Sequence, residues 1–168
     1  MKTLRILTIV DEVKVIGLVL HTSFQDGRNK TDIPAFFHQV LEEAKLAQVP
    51  HRLNQNQMCV FNFAKNSPEF DYLMGVEVEW LDEIPAGMES IILPTGQYVV
   101  LTMVKRGPED VGQGFQYVNE KWLPQSAYKP TGTPSFIYYD ERFFSVFDKQ
   151  GYAGNPIVDL YIPIQPKE

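Results

Sequence analysis

Residues 72–80 run Tyr-Leu-Met-Gly-Val-Glu-Val-Glu-Trp, and the alternation in that stretch decides the fold. Val76, Val78 and Trp80 fall on one side of an extended chain, and Glu77 and Glu79 fall on the other. That two-residue period marks a strand with one packed face and one open face. Just upstream lies a second apolar run, Met-Cys-Val-Phe-Asn-Phe at 58–63, joined to the first through a turn rich in Asn, Ser and Pro. Further upstream, residues 31–48 predict a helix. Thr31 or Asp32 would cap it, and Pro34 would sit in its first turn. Ile33, Phe36, Phe37, Val40, Leu41 and Ala44 would share its buried face. Pro50 would end it. The first twenty-four residues predict strand, broken at Asp11–Glu12, with Gly17 marking a bulge or a close backbone approach.

The same order recurs downstream. The region 88–107 is long, β-branched and interrupted by Pro94-Thr95-Gly96. Residues 109–123 predict a second helix with Val111, Phe115, Val118 and Trp122 on one face, and Pro124 stops it. Strands follow at 134–140 and 157–164. Gly17–Leu20 answers Tyr98–Leu101, Cys59–Phe63 answers Ser135–Tyr139, and Gly75–Trp80 answers Val158–Ile164. The expected fold is therefore α+β: a duplicated strand-helix-strand-strand unit forming an antiparallel sheet, with two helices on one face. One domain spans 1–168, with quasi-repeats of about 1–82 and 83–168 and a ligand cleft expected between the halves.

Composition narrows the function. The chain has 168 residues, 15 basic against 21 acidic, giving a net charge of −6. An acidic chain has no general attraction to a phosphate backbone or an anionic membrane surface, so direct nucleic-acid and membrane partners are not expected. No apolar run is long enough to span a bilayer, and the charged residues at 11–14 break any signal-peptide pattern. The single cysteine, Cys59, excludes an internal disulfide and reads as a small buried hydrophobe. A cytoplasmic location is expected. The three histidines, His21, His38 and His51, lack metal-ligand spacing, so no metal is expected. No nucleophile elbow is present, and Gly107–Gly114 matches no phosphate-loop pattern. No cofactor and no catalytic residue are assigned.

The carboxylates and aromatics remain. Glu77 and Glu79 would lie on the open strand face, with Asp159 at the matching place in the second half and Tyr161 beside it. A carboxylate in an aromatic setting attracts a cation strongly where the local dielectric is low, and aromatic rings stack on flat cationic molecules. Glu77 is the first choice of counter-charge, followed by Glu79 and Asp159. Trp122, Tyr161 and Phe61 are candidate walls.

At this point the chain resembles the gyrase-inhibitor-like, or bacterial-transcription-activator effector-binding, domain. The resemblance rests on YLMGVEV at 72–78, LPTGQYVV at 93–100, KWLPQSAY at 121–128, TPSFIYYDERF at 133–143 and VDLYIPI at 158–164. It covers nearly the whole chain. It implies binding of hydrophobic, often cationic compounds in a central cleft, and a stand-alone form with no helix-turn-helix module of its own. The family motif Phe-Glu-x-Tyr is written here Phe136-Ile137-Tyr138-Tyr139, so Ile137 stands where the cleft glutamate is usual. Ile137 and Tyr139 are expected to face the cleft by alternation. The function expected is a binding protein for amphipathic, cationic aromatic compounds, in preference to an enzyme. Two alternatives carried by the resemblance are a hydrolase of reactive xenobiotics and a gyrase-interacting inhibitor. A homodimer, or a protein partner such as a transcription regulator or gyrase, is left open.

Overall fold

The computed structural model describes residues 2–148 and 154–168. The chain divides into two compact units. An inserted unit comprises Asp11–Pro94, and an enclosing unit comprises Met1–Val10 with Thr95–Glu168.

The inserted unit holds strands β2 (Val13–Ser23), β3 (Gln57–Phe63), β4 (Glu69–Val78) and β5 (Glu89–Leu93), with helix α1 (Arg28–Glu43). Its sheet runs β3-β4-β2-β5, antiparallel throughout. Tyr72, Met74, Val76 and Val78 form one face, and Phe36 of α1 meets Tyr72 edge-on at 6.0 Å, so this is the helix-covered face. Gly17 and Gly75 are register partners. A Cβ on Gly17 would lie 2.2 Å from the Met74 carbonyl oxygen, and one on Gly75 would lie 2.4 Å from that of Ile16. The close approach anticipated at Gly17 is therefore backbone against backbone.

The enclosing unit holds β1 (Lys2–Ile9), β6 (Gly96–Val104), β7 (Tyr128–Pro130), β8 (Ser135–Tyr139) and β9 (Ile157–Pro166). Its sheet runs β1-β6-β9-β8, with β7 also on β9. Helix α2 (Glu109–Gln116) continues as a π-helical turn over Tyr117–Trp122 and a short 3-10 turn. A Cβ on Gly114 would lie 2.8 Å from Met103 Sδ and 3.3 Å from Leu160 Cδ2, so α2 sits directly on the Leu101–Met103–Leu160 face. The two glycines of this helix have different settings: Gly114 is the contact point, whereas a Cβ on Gly112 would meet nothing within 4 Å.

The duplication is visible in the pairing. Order β3-β4-β2-β5 in one unit answers β8-β9-β6-β1 in the other. The edge strands are exchanged: β1 precedes β2 in the chain but pairs with β6, and β5 precedes β6 but pairs with β2. The contacts therefore divide the chain after Val10 and after Pro94, whereas the sequence repeat was drawn at 82/83.

Three local expectations are corrected. Helix α1 begins a turn earlier than predicted, at Arg28, because Gly27 makes the left-handed turn at φ 68° that starts it. Pro34 is consequently inside the helix, and Asp32 accepts hydrogen bonds from Thr22 and Arg28 instead of capping. Leu41 is 42% exposed and so lies off the buried face. A third helix, α3 (Glu141–Asp148), follows β8 directly, and the sequence reading had no place for it.

Candidate functional site

In the inserted unit, Glu77 pairs across the strands with Val15, on the face away from α1. Gly75, Gly17 and Leu73 continue that face. Burial pushes the Glu77 carboxyl up, while a hydrogen bond from Asn54 pulls it down, and the burial effect is the larger. Glu77 has no ion pair among the described residues. The segment bearing Asn54 is pinned against the end of β4. Leu53 N donates to the Glu77 carbonyl at 3.0 Å, and His51 accepts from Glu79 N at 3.0 Å. Arg52 holds the segment's shape by donating to the carbonyls of Leu46, Asn54 and Asn56. Its guanidinium is thus spent on backbone oxygens beside an acid that it does not neutralise.

In the enclosing unit, Asp159 occupies the matching place, on the face away from α2. It is 4% exposed. Thr102, its register partner on β6, donates to Oδ1 at 2.5 Å. Arg142 of α3 donates to Oδ2 at 2.7 Å, and Arg5 of β1 approaches the same oxygen at 3.4 Å. Burial alone would raise the Asp159 carboxyl, but these partners outweigh it and hold the group below the usual carboxylate range. Arg142 is correspondingly raised, first by Asp140 and then by Asp159. The face continues into aromatics. Tyr138 lies opposite Asp159, and Tyr161 stacks on Phe136 with centroids 4.5 Å apart. Tyr98 meets both rings edge-on. Burial, then the Asp159 charge, raises the Tyr161 hydroxyl.

The structure separates the remaining candidates. Glu79 is exposed, just past the end of β4. Ile137 and Tyr139 do not face the way alternation from the family motif suggested. Ile137 pairs with Leu160 on the helix-covered face, and both residues are fully buried. Tyr139 packs edge-on against Phe143 at 4.8 Å, and its hydroxyl accepts a 2.7 Å bond from Lys105. The residues that share the Asp159 face are the neighbours Phe136 and Tyr138. Phe61 is likewise on the helix side of its own sheet, edge-on to Tyr72 at 5.1 Å. Trp122 stacks on Tyr128 and lines, with Tyr117, Lys121, Gln125 and Ser126, an open hollow of about 370 Å³. Neither Glu77 nor Asp159 lines that hollow. Sequence reasoning missed Arg5, Arg142 and Asn54. No helix is long and apolar enough to cross a membrane among the described residues.

The duplicated sheet-and-helix unit, with an acid at matching places on the sheet faces away from α1 and α2, is that of an effector-binding domain. The chain belongs to the family of integron-associated effector binding proteins (Cass2), whose model matches residues 6–164. It is 34% identical over 96 residues to the transcriptional regulator BrlR of Pseudomonas aeruginosa. That match covers 57% of this chain and 33% of BrlR, so the chain spans only part of the regulator's length. Among solved structures it is similar to SAV2435 bound to tetraphenylphosphonium, with TM-score 0.74 and 15% identity, covering 97% of this chain and 94% of that one. It is also similar to an integron cassette protein from the mobile metagenome of Vibrio cholerae, with TM-score 0.63 and 16% identity, covering 96% and 95%.

Proposed function

We propose that this chain binds small aromatic organic cations, with Glu77 as the counter-charge, and acts as a cytoplasmic sensor or sequestering protein without contacting DNA itself. The observation that carries this reading is the state of Glu77. It is a half-buried carboxylate on an apolar strand face, hydrogen-bonded by a neutral amide and, among the described residues, not ion-paired. Removing a carboxylate from water without a cation is unfavourable, so an arriving cation relieves a penalty already built into the fold. A similar fold that holds tetraphenylphosphonium, a bulky aromatic cation, supports the same class of ligand. The net charge of −6 favours approach of a cation and disfavours a nucleic-acid partner.

The charge reading has a pH signature. Burial raises the Glu77 carboxyl, and a cation favours its ionised form, so cation affinity should rise with pH through that titration. Calorimetry of tetraphenylphosphonium across pH 4 to 8 should show about one proton released per cation bound in the lower part of the range. A neutral compound of similar shape, triphenylphosphine oxide, should show no such dependence. The same pH profile for both compounds would remove Glu77 from the account.

A further inference from the structure

Among the described residues the two matching acids differ in one respect: Glu77 has no ion pair, and Asp159 has Arg5 and Arg142. Around Asp159 the surroundings already suit a flat cation. Tyr138 lies opposite it and Tyr161 follows it on the same face, both partly exposed, with Phe136 stacked behind Tyr161. The flat cations present are the chain's own guanidiniums, Arg142 at 2.7 Å and Arg5 at 3.4 Å.

Arg142 is also the partner that can leave. It makes three contacts with Asp140, at 3.0 Å and 3.3 Å from Nε and 2.9 Å from Nη2. Swung away from Asp159, it would keep a counter-ion. Arg5, by contrast, lies in the sheet and donates to Thr102 at 2.9 Å. Exchange of one planar cation for another would leave no charge buried alone, which is the condition for replacing a buried ion pair without a large penalty.

We propose that Asp159, Tyr138 and Tyr161 form an organic-cation site of the aryl amidinium or aryl guanidinium class, which Arg142 fills at rest as a built-in ligand. Occupation of this site releases Arg142 to Asp140 alone and loosens the start of α3. The inference does not rest on Glu77. An internal occupant lowers apparent affinity by the fraction of time that it holds the site, so removing it should tighten binding.

The test uses benzamidinium and the full chain in a Glu77→Gln background, so that failure of the Glu77 reading leaves the result interpretable. Calorimetry should show benzamidinium bound about tenfold or more tightly once Arg142→Met is added. Adding Asp159→Asn should abolish the gain. In the unsubstituted chain, saturating benzamidinium should speed amide exchange over residues 141–146, a measurement that decides the matter alone if the Arg142→Met chain does not fold. No gain in affinity, a gain that survives Asp159→Asn, or unchanged exchange in α3 would make Arg142 a structural tie and overturn the proposal.

Discussion

Asp159→Asn removes one charge from an acid held by Thr102, Arg142 and Arg5, and its effect follows from the geometry. The Asn side-chain oxygen can still accept from Thr102. Its amide nitrogen would then face Arg142 Nη2, which sits 2.7 Å from Oδ2 in the native protein, donor against donor. Breaking a buried ion pair by removing one partner typically costs about 3–5 kcal/mol. Arg5 and Arg142 are 48% and 40% exposed at their side chains, so solvent screens part of the loss. Arg142 also keeps Asp140. We therefore expect about 2–3 kcal/mol, a fall in Tm of about 5–10 °C for a chain of this size. Urea titration followed by tryptophan fluorescence measures it. The folded-state pKa of Asp159 is depressed, so its contribution is present above the unfolded carboxylate value and lost as pH falls through the folded one. The gap between wild type and variant should be constant above about pH 5 and should close as pH drops below about 4. A gap under about 1 kcal/mol at pH 7, or one unchanged at pH 3, would refute the assignment of Asp159 as an ion-paired structural acid.

Two further substitutions test the placement of faces. Ile137→Glu restores the residue usual in the resembling family's motif, but here it puts a carboxylate against Leu160 at a position 1% exposed, so it should unfold the chain or cost more than about 4 kcal/mol, rather than improve cation binding. A folded Ile137→Glu protein with tighter cation binding would show the face to be misassigned. Gly17→Ala drives a methyl group to 2.2 Å from a main-chain oxygen, which no rotamer relieves. It should cost about 3 kcal/mol or more by thermal melting, and a near-neutral result would contradict the close approach of β2 and β4.

The sequence was most informative where a pattern is local. The Glu77 alternation and the two sheet-covering helices depend on neighbours within one element, and both are present in the fold; the two halves match in strand order, but the contacts divide the chain after Val10 and Pro94 rather than at 82/83. What escaped depends on residues far apart in the chain. Arg5 reaches Asp159 only because β1 leaves its neighbour β2 and pairs with β6, a choice that no local period encodes. Arg142 lies on a two-turn helix too short for periodicity to distinguish from a loop. The facing of Ile137 and Tyr139 was inferred from another family member's acid at that position. The residue pairing Ile137 with Leu160 decides it the other way, and the apolar character of both side chains was the available signal. Asn54 was illegible because its role comes from a turn segment held in place by Arg52.

The direct test of the central claim is Glu77→Gln, titrated with tetraphenylphosphonium and with triphenylphosphine oxide while Trp80 and Trp122 report. The substitution keeps the shape and removes the charge. Because burial raises the Glu77 carboxyl, its ionisation opposes folding at neutral pH, so the variant should melt no lower than wild type. Tetraphenylphosphonium carries no hydrogen-bond donor, so the loss is Coulombic: a charge pair about 6–8 Å apart at an effective dielectric of about 20 contributes about 2–3 kcal/mol, and removing it should weaken the cation by roughly tenfold to a hundredfold and leave the neutral compound unchanged. Equal weakening of both, or of neither, would contradict the account.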